Sequence, residues 1–401
     1  MLHDGRLQNV KTEASPLRPP PRRNPPRQGI AIANVFVAGA VAAGVRFPEF
    51  EHLHLYERTE GARYDISRSN VLAYRFSGFR RTIPDLDLNW NDPHGSPELR
   101  TLIARSHGVP ADHVLVTSGA TEGNFLVNAA LVESGDRVLV DSPIYSPLRD
   151  VPRGFTRDVR EIPRSCADGW SLDLDDWRRA AGSEARMFVL ANLNNPTSSL
   201  LDGRQQRELA DLAAETGGYL LVDETFRDLA FDRTPPSVAT LGDHTIALST
   251  VTKVYGLGAL RLGWIAAHPD VLARFKGVKD YTTVAGSGIS DVVGRWALSR
   301  RKDFLVRAKR LIEGNRKRLL EVVDRLEEFS GPWPSIGTVC FPHSRINVGK
   351  LAQRLLAKYD TVIADGRFFG LGDHFRLGLG GDPAEFSTGL ENLGKAVSEL
   401  A

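Results

Sequence analysis

The chain has 401 residues and a net charge of +2, from 51 basic and 49 acidic side chains. Hydrophobic residues make up 42% and charged residues 25%, ordinary globular values that exclude a wholly disordered chain. The balanced charge offers no electrostatic footprint for nucleic acid or an anionic membrane. The length suits a large domain with a smaller one appended.

Cys166 and Cys340 are far apart, which suits neither a disulfide framework nor a metal knuckle and points to a reducing cytoplasm. The ten histidines are scattered. His52 and His54 form a close pair, read as surface or core histidines, and no metal site is expected.

In chain order, residues 16–27 read Pro-Leu-Arg-Pro-Pro-Pro-Arg-Arg-Asn-Pro-Pro-Arg, an extended polyproline-type arm. The apolar stretch 30–45 is short for a membrane span and rich in Ala and Gly. Residues 1–47 are expected to form a Pro-rich, largely disordered extension. From about residue 96, helix and strand signals alternate. Ser96-Pro97 caps a helix with Leu99, Leu102 and Ile103 on one face. Apolar runs at 114–117, 137–141, 187–190, 219–223, 245–248 and 262–266 read as buried strands, with amphipathic segments such as 204–215 between several of them. This pattern indicates a mostly parallel sheet with helices on both faces, where ligands bind beyond the strands' carboxyl ends. Near Arg295 the composition changes. A long charged helix is expected to run to about Glu328, followed by short strands near 338–341 and helices near 351–359 and after Pro383. A large domain over 71–295 and a smaller α+β domain from 48–70 and 296–401 follow from this division.

The run Ser249-Thr-Val-Thr-Lys253-Val-Tyr-Gly256-Leu-Gly-Ala-Leu-Arg261-Leu-Gly263-Trp follows a strand. A lone Lys between Thr and a Gly-rich turn suits Schiff-base chemistry, which needs an amine pKa lowered by burial or neighbouring cations. The hydroxyls of Thr250 and Thr252 and the Arg261 guanidinium can hold a phosphate beside it. A polar loop with a surface lysine is the plainer reading of the same run.

The run resembles the signature of the class I/II aminotransferases, the fold-type-I pyridoxal 5'-phosphate (PLP) enzymes: Ser-x-Ser-Lys, an aromatic-Gly pair, then Arg-x-Gly eight residues after the Lys. Five further motifs appear in the family's order. Thr117-Ser-Gly119-Ala120-Thr121-Glu-Gly123 closes a strand and opens a helix, whose N-terminus would cradle the cofactor phosphate. Asp141-Ser-Pro143-Ile-Tyr145 matches the segment whose aromatic ring stacks on the cofactor. Asn194-Asn195-Pro196-Thr197-Ser198 resembles Asn-Pro-Thr-Gly, with Asn195 donating to the phenolic oxygen; Ser198 replaces the usual Gly. Leu220-Leu-Val-Asp223-Glu224 places Asp223 at the pyridine nitrogen. Asp373-His-Phe-Arg376-Leu-Gly matches the segment whose Arg grips a substrate α-carboxylate. Each has a plainer alternative: a tight turn, a packing Tyr, an Asn-Pro turn, a helix cap, and an Arg paired with Asp373.

Two departures concern hydroxyls. Phe226 stands where members commonly carry a Tyr that hydrogen-bonds the phenolic oxygen. Trp90 stands where a Tyr commonly reaches the partner subunit's phosphate. Each lost hydrogen bond to a charged group is worth about 1.5–3 kcal/mol. The run from Ala62 to Asn70 is similar to natural-product branches of the family, and Asn70 joins Arg376 and Asn195 as a candidate substrate contact.

The resemblance implies a fold-type-I α/β enzyme with a mostly parallel seven-stranded sheet in the large domain. It also implies a cytoplasmic homodimer that acts on an α-amino acid through a PLP aldimine at Lys253. Transamination is the leading activity. The alternative is a non-transaminating enzyme of natural-product biosynthesis: a carbon–sulfur β-lyase, a cyclase or a decarboxylating oxidative deaminase. A PLP-sensing regulator is disfavoured, since the first 60 residues are too short and Pro-rich for a DNA-binding domain.

Overall fold

The computed structural model describes residues 47–79 and 91–400; the Pro-rich arm and Trp90 lie outside the described residues. A two-residue strand, β1 (Tyr64–Asp65), precedes seven that form one sheet. These are β2 (Val114–Thr117), β3 (Arg137–Ser142), β4 (Asp158–Pro163), β5 (Ala185–Ala191), β6 (Tyr219–Asp223), β7 (Thr245–Thr250) and β8 (Gly263–Ala266). Their order across the sheet is β2-β8-β7-β6-β5-β3-β4. Strands β3 to β7 run parallel, whereas β8 is antiparallel to both β2 and β7.

The central strands are apolar on both faces because both faces are covered. Val138 and Val140 pack into one buried cluster with Leu126, Val189 and Phe275. Leu139, between them, packs into the opposite cluster with Phe188, Leu209 and Val222. This period-2 division is the pleat of a strand buried on both sides. Strand β4 escapes a hydrophobicity reading, since Asp-Val-Arg-Glu-Ile-Pro is mostly polar. It is one edge of the sheet and, among the described residues, pairs with β3 alone, where charged side chains face water and discourage further pairing.

The Ser96-Pro97 cap forms as its residues require. The helix Pro97–His107 starts with Ser96 Oγ accepting from the Leu99 N–H at 3.3 Å. The charged stretch after 295 is not one helix to 328. It breaks at Arg300 (φ −113°, ψ 24°) between helices Gly288–Ser299 and Arg301–Val323. Short strands follow: β9 (Phe329–Ser330), β10 (Val339–Cys340), β11 (His343–Ser344), β12 (Thr361–Val362), β13 (Ala364–Asp365) and β14 (Phe375–Gly378). Helices Val348–Tyr359 and Pro383–Ser398 complete this region. Strand β1 pairs in parallel with β12, so the segment before the large sheet packs with the C-terminal region. Among the described residues no helix is long and apolar enough to cross a membrane.

Candidate active site

Strands β2, β6 and β7 end at one edge of the sheet, and the loops beyond them carry the polar side chains that the motifs singled out. Ala120, Thr121, Tyr145, Asn195, Asp223, Phe226, Thr250, Thr252, Lys253 and Arg261 line one cavity of about 160 Å³. Gly119 opens the helix Gly119–Leu131 at its rim, in the left-handed region at φ +81°.

One end of the cavity is an anion cup. The helix N-terminus supplies N–H groups and the positive end of its dipole. Thr250 Oγ1 lies 2.9 Å from Thr252 Oγ1. Arg261 sits opposite, its guanidinium 3.4 Å from the Ser118 carbonyl. Arg261 is itself left-handed at φ +49°, a strained conformation for a side-chain-bearing residue and a feature of functional sites. Gly119 admits that guanidinium closely, since a Cβ there would meet Arg261 Nη2 at 2.5 Å.

At the cavity floor, one oxygen of Asp223 accepts from the Thr225 N–H at 2.9 Å. Among the described residues no group donates to its other oxygen. Burial pushes the carboxyl above its usual range. Lys253 Nζ donates to Ser69 Oγ at 3.2 Å and Asn70 Oδ1 at 3.4 Å, and stands 5.9 Å from the Phe226 ring centre. Burial, then the nearby Arg376 cation, lowers its amine to about 8.

Arg376 is fully buried and meets no carboxylate among the described residues. Its Nε and Nη2 donate to the Ser67 carbonyl at 3.1 and 2.8 Å, and its Nη1 to Asn195 Oδ1 at 3.0 Å. Nη2 also reaches the Tyr56 hydroxyl at 3.0 Å and His52 Nε2 at 3.3 Å. Asp373, the alternative partner, binds His374 instead at 2.7 Å. With Asn195 Oδ1 held by Arg376, the amide nitrogen is the end left for a ligand. His52 and Tyr56 were not legible as site residues. The helix Glu51–Arg58 brings both onto Arg376, and His52 is a core histidine, 3% exposed.

A doubly covered α/β sheet thus gathers at its strand ends a buried lysine of lowered pKa, an anion cup and a buried arginine without a carboxylate partner among the described residues. Residues 87–393 match the family model for aminotransferase class I and II. The chain belongs to that family and is a PLP-dependent enzyme of it. It is 31% identical over 363 residues to the capreomycidine synthase of Streptomyces vinaceus, covering 86% of this chain and 93% of that enzyme. It is 25% identical over 321 residues to an aspartate aminotransferase of Pyrococcus horikoshii, covering 76% of this chain and 80% of that enzyme. Among solved structures it is similar to the PLP-dependent cyclase OrfR, with TM-score 0.83 and 26% identity over 90% of this chain and all of that one. A PLP-dependent aminotransferase of Streptococcus suis has TM-score 0.82 and 25% identity, covering 89% of this chain and 99% of that one.

Proposed function

We propose that this protein binds PLP at Lys253 and converts an α-amino acid whose carboxylate is held by Arg376. The observation that carries this reading is the buried trio of Lys253 and Asp223, which line one cavity, and Arg376 close by: an amine near neutrality and, among the described residues, a carboxylate with one oxygen free and a cation without an anion. The site fits PLP. Gly119, Ala120, Thr121, Thr250, Thr252 and Arg261 would hold its phosphate, Tyr145 its ring face, Asn195 its phenolic oxygen and Asp223 its pyridine nitrogen. When bound, PLP supplies an electron sink for charge developing at the substrate's Cα.

The chain's own residues do the rest. Arg376 orients the carboxylate through its charge and the Nη1 N–H that Asn195 leaves free. Lys253 Nζ, lowered in pKa, takes the α-proton and returns it. Ser69 and Asn70 fix where that nitrogen points. The negative charge of Asp223 favours a proton on the nitrogen it faces.

Transamination, the reaction shared by the family's aminotransferases, is the first reading of the outcome. A non-transaminating conversion such as ring closure is the second. It is favoured by Phe226, which lines the cavity without a hydroxyl, and by the likeness to capreomycidine synthase. Purified enzyme with an amino-acid panel, read for product mass and keto-acid exchange together, separates them. Clean keto-acid exchange supports the first; a cyclised or eliminated product without exchange supports the second.

The same reading includes a cytoplasmic homodimer, with Trp90 contributing to the partner's site. Exposed Phe76, Tyr281 and Val306 are apolar surface that such a partner would cover; an active monomer by light scattering would contradict it. It also keeps a large domain over 71–295 and a small one from 48–70 and 296–401, supported by the β1–β12 pairing.

A further inference from the structure

Arg376 is a wholly buried cation surrounded by neutral acceptors: the Ser67 carbonyl, the Asn195 amide, the Tyr56 hydroxyl and the His52 imidazole. A buried charge without a counter-charge is costly. Acceptors of this kind orient the guanidinium while leaving its charge for a ligand.

A guanidinium only donates, so His52 Nε2 must be the bare nitrogen of a neutral imidazole. The Tyr56 hydroxyl lies 3.2 Å from that same nitrogen. His52 and Tyr56 are four residues apart on the helix Glu51–Arg58 and therefore share a face. The imidazole is stacked on Phe368, with centres 5.2 Å apart and planes 6° from parallel, and meets Phe369 edge-on. These rings fix the orientation of the imidazole, and Phe369 also faces the guanidinium, its ring centre 5.0 Å from Arg376 Cζ, which adds a further neutral contact. Burial and the facing cation lower His52 to about 2, so the ring stays neutral across the working pH range.

We infer that His52 and Tyr56 are positioning residues, which hold the Arg376 fork through neutral acceptors so that its charge is reserved for the substrate carboxylate. This rests on the reading of Arg376 as the carboxylate holder. It adds that an anionic side chain at position 52 would act as an internal competitor for the substrate.

The test uses the PLP-loaded enzyme with acetate as the probe, a carboxylate without an amine. Its binding beside Lys253 is followed through the cofactor absorbance. His52→Glu should pair with Arg376 internally and weaken acetate binding about tenfold or more, the scale of one charged hydrogen bond. His52→Gln keeps an acceptor and should stay within about threefold of wild type. Tyr56→Phe, a milder variant should His52→Glu fail to fold, should weaken acetate about threefold to tenfold. Acetate binding that is unchanged in both His52→Glu and Tyr56→Phe would overturn the inference, as would an equal loss in His52→Glu and His52→Gln. Arg376→Gln separates the two levels. If it binds acetate as wild type does, the carboxylate reading itself fails; if it alone loses acetate, only the role of His52 and Tyr56 fails.

Discussion

Gly263 is the point where the two halves of the anion cup touch, and enlarging it tests where the phosphate sits. It pairs with Thr117 of β2 on one side and Thr250 of β7 on the other. A methyl group there would lie 2.4 Å from the Gly119 carbonyl carbon, 2.6 Å from the Ala120 nitrogen and 2.7 Å from the Gly119 Cα. Comfortable contacts between such atoms are about 3.5 Å, so the helix N-terminus must retreat by roughly 1 Å. Overpacking of this kind costs about 1–3 kcal/mol of stability, and a shift of about 1 Å in a positioning group costs on the order of a hundredfold. Gly263→Ala is therefore expected to weaken PLP binding about tenfold to a hundredfold. The assay is absorbance titration of the cofactor-free enzyme with PLP, beside a thermal melt. Gly394→Ala is the control. Within the helix Pro383–Ser398 its Cβ would meet nothing within 4 Å, so it should gain about 0.5–1 kcal/mol and leave PLP affinity alone. Wild-type PLP affinity in Gly263→Ala would refute the placement of the cup.

Asp223→Ala should retain PLP through the cup yet slow turnover by several orders of magnitude, because the electron sink is weakened; near-normal turnover would remove Asp223 from the site. The Lys253 amine titrates near 8 in the folded chain against 10.5 when exposed. Between those values the unfolded chain holds the extra proton, so stability of the cofactor-free protein should rise with pH across that window. By urea unfolding, wild type should gain roughly 3 kcal/mol relative to Lys253→Met from pH 8 to 10.5; parallel curves for the two proteins would contradict the burial argument. Phe226→Tyr should change the product partition if the natural outcome is cyclisation or elimination, and the rate alone if it is transamination. Identical rate and product in that variant would show that the missing hydroxyl has no part in the outcome.

The sheet was legible where strands are buried on both faces, because runs such as Arg137-Val-Leu-Val and Tyr219-Leu-Leu-Val have no other stable place. Strand β4 was not, since an edge strand solvated by Asp158, Arg160 and Glu161 carries no apolar period. The break at Arg300 was equally silent: the charged pattern continues across it, and packing decides where one helix stops. At the cavity, Lys253, Asp223 and Asn195 could be singled out because their segments resemble the family's motifs; by local pattern alone Asp223 reads as a helix cap and Asn195 as part of a turn. His52 and Tyr56 could not. Their contacts to Arg376 span 324 and 320 residues, and only the folded chain brings the helix Glu51–Arg58 to the far end of the sequence.

Lys253 is proposed to be the one lysine that carries the cofactor. Reducing the PLP-loaded enzyme with borohydride and mapping its peptides by mass spectrometry tests it directly. A phosphopyridoxyl group on Lys253, absent from Lys253→Ala treated alike, is the predicted result. A tag on any other lysine, or none on an enzyme that is active with PLP, would contradict the account.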